Sequence, residues 1–369
     1  TNRVVGPTVS NTHTTYVSAE KYWELSGNVE SNVTLEANTF LSGDAPHSLS
    51  MWFNSSNLVS NASNSCIFSL GTEERLDHVS AAFSNTYQTV QKLLASDAQA
   101  TDYFGYSVSM SSDRTRVIVG APFEDTGGSG AGSAYIFALS GGSWSQEAKI
   151  QASDKQADDK FGYSVSMSSD GTRVIVGAYG EDTGATDAGA AYIFALSSGS
   201  WTQEQKIQAS DPEASDQFGF TVSMSGDGTR VIVGAQNEDT GASNAGSAYI
   251  FTYDGSNWDA GTKILASDPE ASDNFGYSVS VSGDGTRVIV GAYGEDTGGS
   301  RAGSAYIFAL SGGSWSQEAK IQASDKQSND EFGYSVSMNS DGTKVIVGAR
   351  YEDTGGSNAG SAYIFAYDG

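Results

Sequence analysis

The stretch "DKFGYSVSMSSDGTRVIVGAYGEDTG", residues 159–184, occurs five times in this chain with small edits. Its Phe-Gly pair begins at Phe104, Phe161, Phe218, Phe275 and Phe332, so each step is 57 residues with no insertion or deletion. A fixed period of this length marks one supersecondary unit that stacks on its own copies, because a single unit cannot bury its apolar face alone. Nothing comparable occurs before residue 86.

Four strand-like runs fill each unit. In the second copy they are "FGYSVSM" (161–167), "RVIVGA" (173–178), "AAYIFAL" (190–196) and "SWTQEQKIQA" (200–209). The first run alternates bulky Phe161, Tyr163, Val165 and Met167 with small Gly162, Ser164 and Ser166, giving one thick and one thin face along a strand. That suits the crowded centre of a ring. "SSDGT" and "SSGSW" are tight hairpin turns and fall on one rim, while the longer links "GEDTGATDAG" and "SDPEASDQ" fall on the other. The last copy stops after its third run, and "TYQTVQKLLASD" (86–97) matches the missing fourth run "SWSQEAKIQASD". An N-terminal strand is therefore expected to complete the last blade and close the ring, which limits exposed sheet edges. The competing organisation is an excerpt of a longer array with more blades.

The expected fold is all-β: a five-bladed β-propeller of four-stranded blades over residues 86–369, with a small β-rich segment over 1–85. Composition agrees, with Gly 44, Tyr 18 and Phe 16 against 5 Pro, and many short Val/Ile runs between turn residues. A net charge of -25 argues against nucleic acid or an anionic membrane as partner, since phosphates need Lys and Arg to displace their counterions. Cys66 stands alone, so there is no intrachain disulfide framework and no cysteine metal cluster; it reads as a small buried hydrophobe. No apolar run reaches the ~18 residues of a membrane span. The start "TNRVVG" lacks Met and a signal-type apolar segment, so the chain reads as a processed or excised piece.

With "FG", then "VIVGA", then "AYIF" recurring in order five times, and the first copy reading "FGYSVS...RVIVGAP" (104–122), residues 86–369 resemble the FG-GAP repeats of integrin-α-type β-propellers. Only the first copy keeps the proline, Pro122. The resemblance implies a propeller that binds partners on its longer-loop rim in an extracellular, cell-surface or virion-surface setting. Seven blades are common in that family, so five is a departure. Several family blades hold Ca²⁺ in an Asp-rich loop between the first and second strands. Here that loop has a single acid, Asp113, Asp170, Asp227, Asp284 or Asp341, too few for the six to eight oxygens Ca²⁺ takes, and the family's metal site is not carried over. These aspartates read as turn formers. In the N-terminal segment, "HSLSMWFNSS" (47–56) and "CIFSLGTEE" (66–74) resemble strands of a laminin-G or concanavalin-like sandwich, of which residues 1–85 would be about half. All three Asn-x-Ser/Thr sequons, at Asn32, Asn54 and Asn61, lie there and are candidate glycosylation sites of a secreted protein.

Four acids per repeat fall on the longer-loop rim. They are Asp97, Asp102, Glu124 and Asp125; Asp154, Asp159, Glu181 and Asp182; Asp211, Asp216, Glu238 and Asp239; Asp268, Asp273, Glu295 and Asp296; and Asp325, Asp330, Glu352 and Asp353. Two readings stay open. The acids cap turns and keep the disc soluble, or the two loops approach and offer carboxylate and carbonyl oxygens to Ca²⁺, one site per blade. On the same rim Phe123, Tyr179, Tyr293, Arg350 and Tyr351 are contact candidates or parts of solvated loops. Trp144, Trp201, Trp258 and Trp315, one per fourth run, pack the outer strand or stack on sugars.

An enzyme is not expected. Acid–base catalysis by two carboxylates needs unlike environments for the two, whereas every prominent acid here recurs in near-equal copies. His13, His47 and His78 all lie outside the repeats, and no Ser/His/Asp arrangement is visible. What remains is a binding or adhesion module that takes a protein or glycan on its acidic loop face, or a structural subunit of a surface assembly such as a filament, coat or virion appendage.

Overall fold

The computed structural model describes the backbone of His13–Val17 and Tyr22–Ser26 and the whole of residues 91–367. The chain divides into two compact units, 1–90 and 91–369. In the first, β1 (His13–Val17) pairs antiparallel with β2 (Tyr22–Ser26), with Tyr16 opposite Trp23. The laminin-G-like stretches 47–56 and 66–74, Cys66, and the sequons at Asn32, Asn54 and Asn61 lie outside the described residues.

The second unit contains one antiparallel sheet per repeat. Its strands are β3 (Val108–Met110), β4 (Arg116–Ala121), β5 (Ser133–Ser140) and β6 (Ser143–Ile150) in the first sheet, and β7 (Val165–Met167), β8 (Arg173–Ala178), β9 (Ala190–Ser197) and β10 (Ser200–Ile207) in the second. The third and fourth sheets hold β11 (Thr221–Met224), β12 (Arg230–Ala235), β13 (Ser247–Thr252) and β14 (Thr262–Ile264), then β15 (Ser278–Val281), β16 (Arg287–Ala292), β17 (Ser304–Ser311) and β18 (Ser314–Ile321). The fifth holds β19 (Phe332–Met338), β20 (Lys344–Ala349) and β21 (Ser361–Ala366). The expected all-β fold of five blades, one per repeat, is the observed one.

Strand β8 shows why its sequence is a nearly unbroken apolar run. Val174 and Val176 pack with Ile118 and Ile136 of the preceding sheet, while Ile175 on the other face packs with Val231 and Val233 of the following one. A strand buried on both faces loses the polar half of the usual alternation. The core is thus a series of layers between consecutive sheets, and each layer is capped by a wholly buried Phe such as Phe161, set edge-on against Tyr192 and Phe194.

Two expectations need correcting. First, in four of the five repeats the innermost strand begins later than its alternation suggests, as in β7, which starts at Val165. Phe161 instead makes a parallel bridge to Gly132 of the preceding sheet, and the same bridge joins Gly189 to Phe218, Gly246 to Phe275 and Gly303 to Phe332. The Phe-Gly pair is therefore a joint between blades. Second, the described residues 91–97 add no strand to the fifth sheet, which has three strands among the described residues. Residues 91–95 form no strand and lie beside the first sheet, where Gln91 Nε2 donates to the Trp144 carbonyl and Ser96 N to Gln146 Oε1. Consecutive sheets pack on one another, but the outward faces of the first and fifth are open, with Val108 67% and Ile364 74% exposed.

Candidate functional site

The four acids of each repeat part into three environments. In the third blade the link entering from the second sheet brings Asp211 beside β14, and the loop after β12 brings Glu238 to the same point. Lys263, from β14, sits between them, with Nζ 2.8 Å from Asp211 Oδ2 and 2.7 Å from Glu238 Oε1. Tyr249 Oη donates to the other Asp211 oxygen at 2.9 Å, and Ser247 Oγ and Thr240 Oγ1 donate to Glu238. The same cluster forms around Lys149 with Asp97 and Glu124, Lys206 with Asp154 and Glu181, and Lys320 with Asp268 and Glu295. In the fifth blade Asp325 accepts from Tyr363 Oη and Glu352 from Ser361 Oγ, but no lysine joins them among the described residues.

The remaining acids are backbone fasteners. Asp125, Asp182, Asp239, Asp296 and Asp353 each accept from an N–H five residues on, closing the loop between second and third strands. Asp102, Asp159, Asp216, Asp273 and Asp330 each accept from an N–H three residues back and are buried just before the Phe-Gly joint. The hairpin aspartates Asp113, Asp170, Asp227, Asp284 and Asp341 each accept from the Thr N–H two residues on, as turn formers do.

Sequence reasoning counted the acids and missed their partners. The signal was there: Lys149, Lys206, Lys263 and Lys320 recur at one repeat position in a chain with only 19 Lys and Arg against 44 acids. It also missed a file of aromatics. Tyr106, Tyr163, Phe220, Tyr277 and Tyr334 occupy one position per blade, and successive ring centroids are 4.7, 5.0, 5.2 and 4.8 Å apart. Tyr179 and Tyr293, two of the contact candidates, stand edge-on against Tyr163 and Tyr277 at 4.6 Å each. Phe123 meets Tyr103, and Arg350 stacks over Tyr334 and Tyr351. The tryptophans pack on the interlayer cores, and Trp201 Nε1 and Trp258 Nε1 donate to Glu147 and Glu204 of the preceding blades.

The FG-GAP repeat family matches residues 87–137, 144–194, 201–251, 258–308 and 315–365. The chain belongs to the FG-GAP repeat family. No curated protein matches it. Among solved structures it is similar to the hydrazine synthase of Kuenenia stuttgartiensis, at 13% identity and a TM-score of 0.42, over 69% of this chain and 58% of that one. This FG-GAP chain therefore spans less than two thirds of that neighbour.

In the first four FG-GAP blades one lysine ammonium offsets part of the charge of each carboxylate pair. Burial would raise the Asp211 and Glu238 carboxyls, but the hydrogen bonds and charge of Lys263 outweigh it and hold both below their ordinary values. Lys263 is itself raised. Among the described residues no group of three or more acids, His or Cys is arranged to hold a metal ion. Where a shared cation would relieve the paired carboxylates of the first four blades, the lysine ammonium already stands. The melting midpoint is accordingly expected to be the same in millimolar Ca²⁺ and in EDTA, since a ligand stabilises only through binding to the folded state; a rise with Ca²⁺ in a scanning calorimeter contradicts this.

Asp159, Asp216, Asp273 and Asp330, each before a joint, behave oppositely and are raised. Burial, reinforced by neighbouring carboxylates, pushes Asp159, Asp216 and Asp273 up to about 6. Asp273 Oδ1 is buried without a hydrogen-bond partner. A carboxyl raised above its unfolded value of about 3.9 favours folding in its protonated form, so its contribution is full below that value and is lost as pH rises through about 6. Asp97, Glu124, Asp154, Asp211, Glu238, Asp268 and Glu295, held low by their lysines, run the other way and lose their contribution as pH falls below about 4. Melting curves across pH should therefore peak in the mildly acidic range, near about pH 5. Asp273→Asn should raise the midpoint at pH ~7.5 and reduce its rise on mild acidification.

Proposed function

We propose that this FG-GAP chain is a non-enzymatic binding module of an extracellular or surface-exposed protein, and that it contacts a protein or glycan through the aromatic file at its longer-loop end. The observation that supports this reading is the file itself: partly exposed rings from one repeat position, bordered by Tyr179, Tyr293 and Arg350. Aromatic side chains offer large contact area with a polar tip and little conformational entropy to lose, which is why they anchor interfaces. The twenty rim acids that recur in every repeat are engaged with lysines, hydroxyls and backbone N–H groups, which leaves the rings as the recurring feature of the rim open to a partner. A net charge of -25 directs the choice toward neutral or basic partners. The near-identity of the blades supports recognition of repetitive ligands by several weak equal contacts, and the same symmetry argues against a single catalytic centre.

The test is binding to surfaces coated with polyvalent glycans or with basic proteins, followed by biolayer interferometry. Phe220→Ala and Tyr277→Ala should lower the signal at least ~10-fold through lost avidity while leaving the fold intact. Equal binding by the variants removes the file as the contact face. The alternative is a structural subunit of a surface assembly, which the near-identity of the blades also fits.

A further inference from the structure

We infer that Arg230 and Trp315, at the hairpin rim between the third and fourth blades, form a binding site for the carboxylate of a ligand, and that the ligand is a uronate residue of an otherwise neutral glycan. The site is on the rim opposite the aromatic file and does not depend on it. Its basis is a contact that the chain builds three times from its own residues. The arginine that opens the second strand holds a glutamate of the outer strand through two parallel hydrogen bonds from Nε and Nη2: Arg116 to Glu147 at 2.9 and 3.1 Å, Arg173 to Glu204 at 3.1 and 3.0 Å, and Arg287 to Glu318 at 2.9 and 3.2 Å. A tryptophan of the next blade adds a third donor, with Trp201 Nε1 3.1 Å from Glu147 Oε2 and Trp258 Nε1 3.2 Å from Glu204 Oε2. A guanidinium fork and an indole N–H thus enclose one carboxylate, the planar pairing for which arginine is suited.

The third blade keeps the donors and lacks the acid. Gly261 stands at the repeat position of Glu147, Glu204 and Glu318. In those three blades the glutamate sits at a bulge between the third and fourth strands, as between Gln203 and Gln205, and a bulge re-aims a side chain in this way. In the third blade β14 begins only at Thr262, and Gly261 turns with a φ of 79°, where an added Cβ would fall 2.6 Å from the Phe251 ring. The local backbone therefore shuts out the internal acid. Arg230 keeps its seat: Nη1 donates to the Gly285 carbonyl at 3.1 Å, as Arg173 Nη1 does to that of Gly228 at 3.3 Å. Its Nε is buried and meets no acceptor. Trp315, at the repeat position of Trp201 and Trp258, packs on the same kind of interblade layer, and its indole N–H has no acceptor among the described residues.

A buried donor without a partner carries a desolvation cost that an arriving acceptor removes. The local acids do not take that part. Asp227 and Asp284 are fastened to Ser225 and Thr229 and to Ser282 and Thr286, and Asp259 accepts from the Thr252 and Gly261 N–H groups. A fork with an indole N–H beside it fits the two oxygens of a carboxylate. The net charge of -25 opposes polyanions, so the acid must be carried singly. Half-buried Trp315 adds an aromatic surface next to the fork. A uronate sugar answers both, with one carboxylate on a ring whose C–H face can lie on an indole.

The test titrates sodium glucuronate into the isotope-labelled full chain at constant ionic strength and follows the indole N–H signals by NMR, the Trp315 signal being assigned from Trp315→Phe. That signal should move and saturate, while those of Trp201 and Trp258, already bonded to Glu147 and Glu204, should stay. Arg230→Gln should weaken binding at least ~10-fold, the loss expected when charged hydrogen bonds are removed. Arg230→Lys, which keeps the charge and not the fork, should also weaken it, whereas Arg173→Gln should leave it unchanged. A Trp315 signal that does not move, equal movement of the other two, or undiminished binding by Arg230→Gln overturns the site. Tighter binding of phosphate or of N-acetylglutamate than of glucuronate overturns the assignment to a uronate.

Discussion

Lys263→Met is expected to lower the free energy of unfolding by about 3 kcal/mol, the size of effect seen when one partner of a buried ion pair is removed. Methionine keeps the apolar stem that lies along β14, so the change isolates the ammonium. Glu238 is only 3% exposed, and without Lys263 it retains two hydroxyl donors but no counter-charge. Its lowest-energy response is to take up a proton, so the loss should shrink as pH falls toward about 4. Adding Glu238→Gln to Lys263→Met should recover part of the loss, and the resulting double-mutant cycle measures the coupling. Urea unfolding with an unchanged slope supplies the reading. A loss below about 1 kcal/mol would instead place Lys263 with ordinary surface ion pairs.

That experiment bears on what could be read from residues alone. The period, the hairpin turns and the strands that end at "VIVGA" and "AYIFAL" were legible because each is encoded within a few neighbours: Asp-Gly in a turn, β-branched residues in a buried strand. The charge pairing was not. Asp211 and Lys263 are 52 residues apart, and Glu238 and Lys263 are 25 apart, so their meeting depends on how the link, loop and outer strand fold back together. The same reason hid the role of the Phe-Gly pair. Its alternation continues into "YSVSM", and only the bridge to the preceding blade, as from Phe161 to Gly132, shows where the strand actually starts. The expected fourth strand of the fifth sheet is not seen among the described residues, of which only 91–97 belong to the matching run. Residues 86–97 match a fourth strand, yet their described part lies against the first blade.

Gly234→Ala should be as damaging as the loss of Lys263, for a purely steric reason. Gly234 lies in β12 at the joint to the fourth blade, where an added Cβ would fall on the carbonyl oxygen of Gly276. That oxygen cannot withdraw alone, because it belongs to the Phe-Gly segment bridged to Gly246 through Phe275. The strain must be relieved by separating two blades, and overpacking of this kind costs about 3 kcal/mol at the upper end of its usual range. Gly348 provides the control. It occupies the same repeat position in β20, but no further blade packs on it among the described residues, and its Cβ would meet the Ser335 hydroxyl, a side chain that can rotate. Gly348→Ala should therefore leave the melt of the single chain close to wild type. The pair of variants then separates what a glycine does within its own blade from what it does for the next one: the melting midpoint falls for Gly234→Ala and holds for Gly348→Ala.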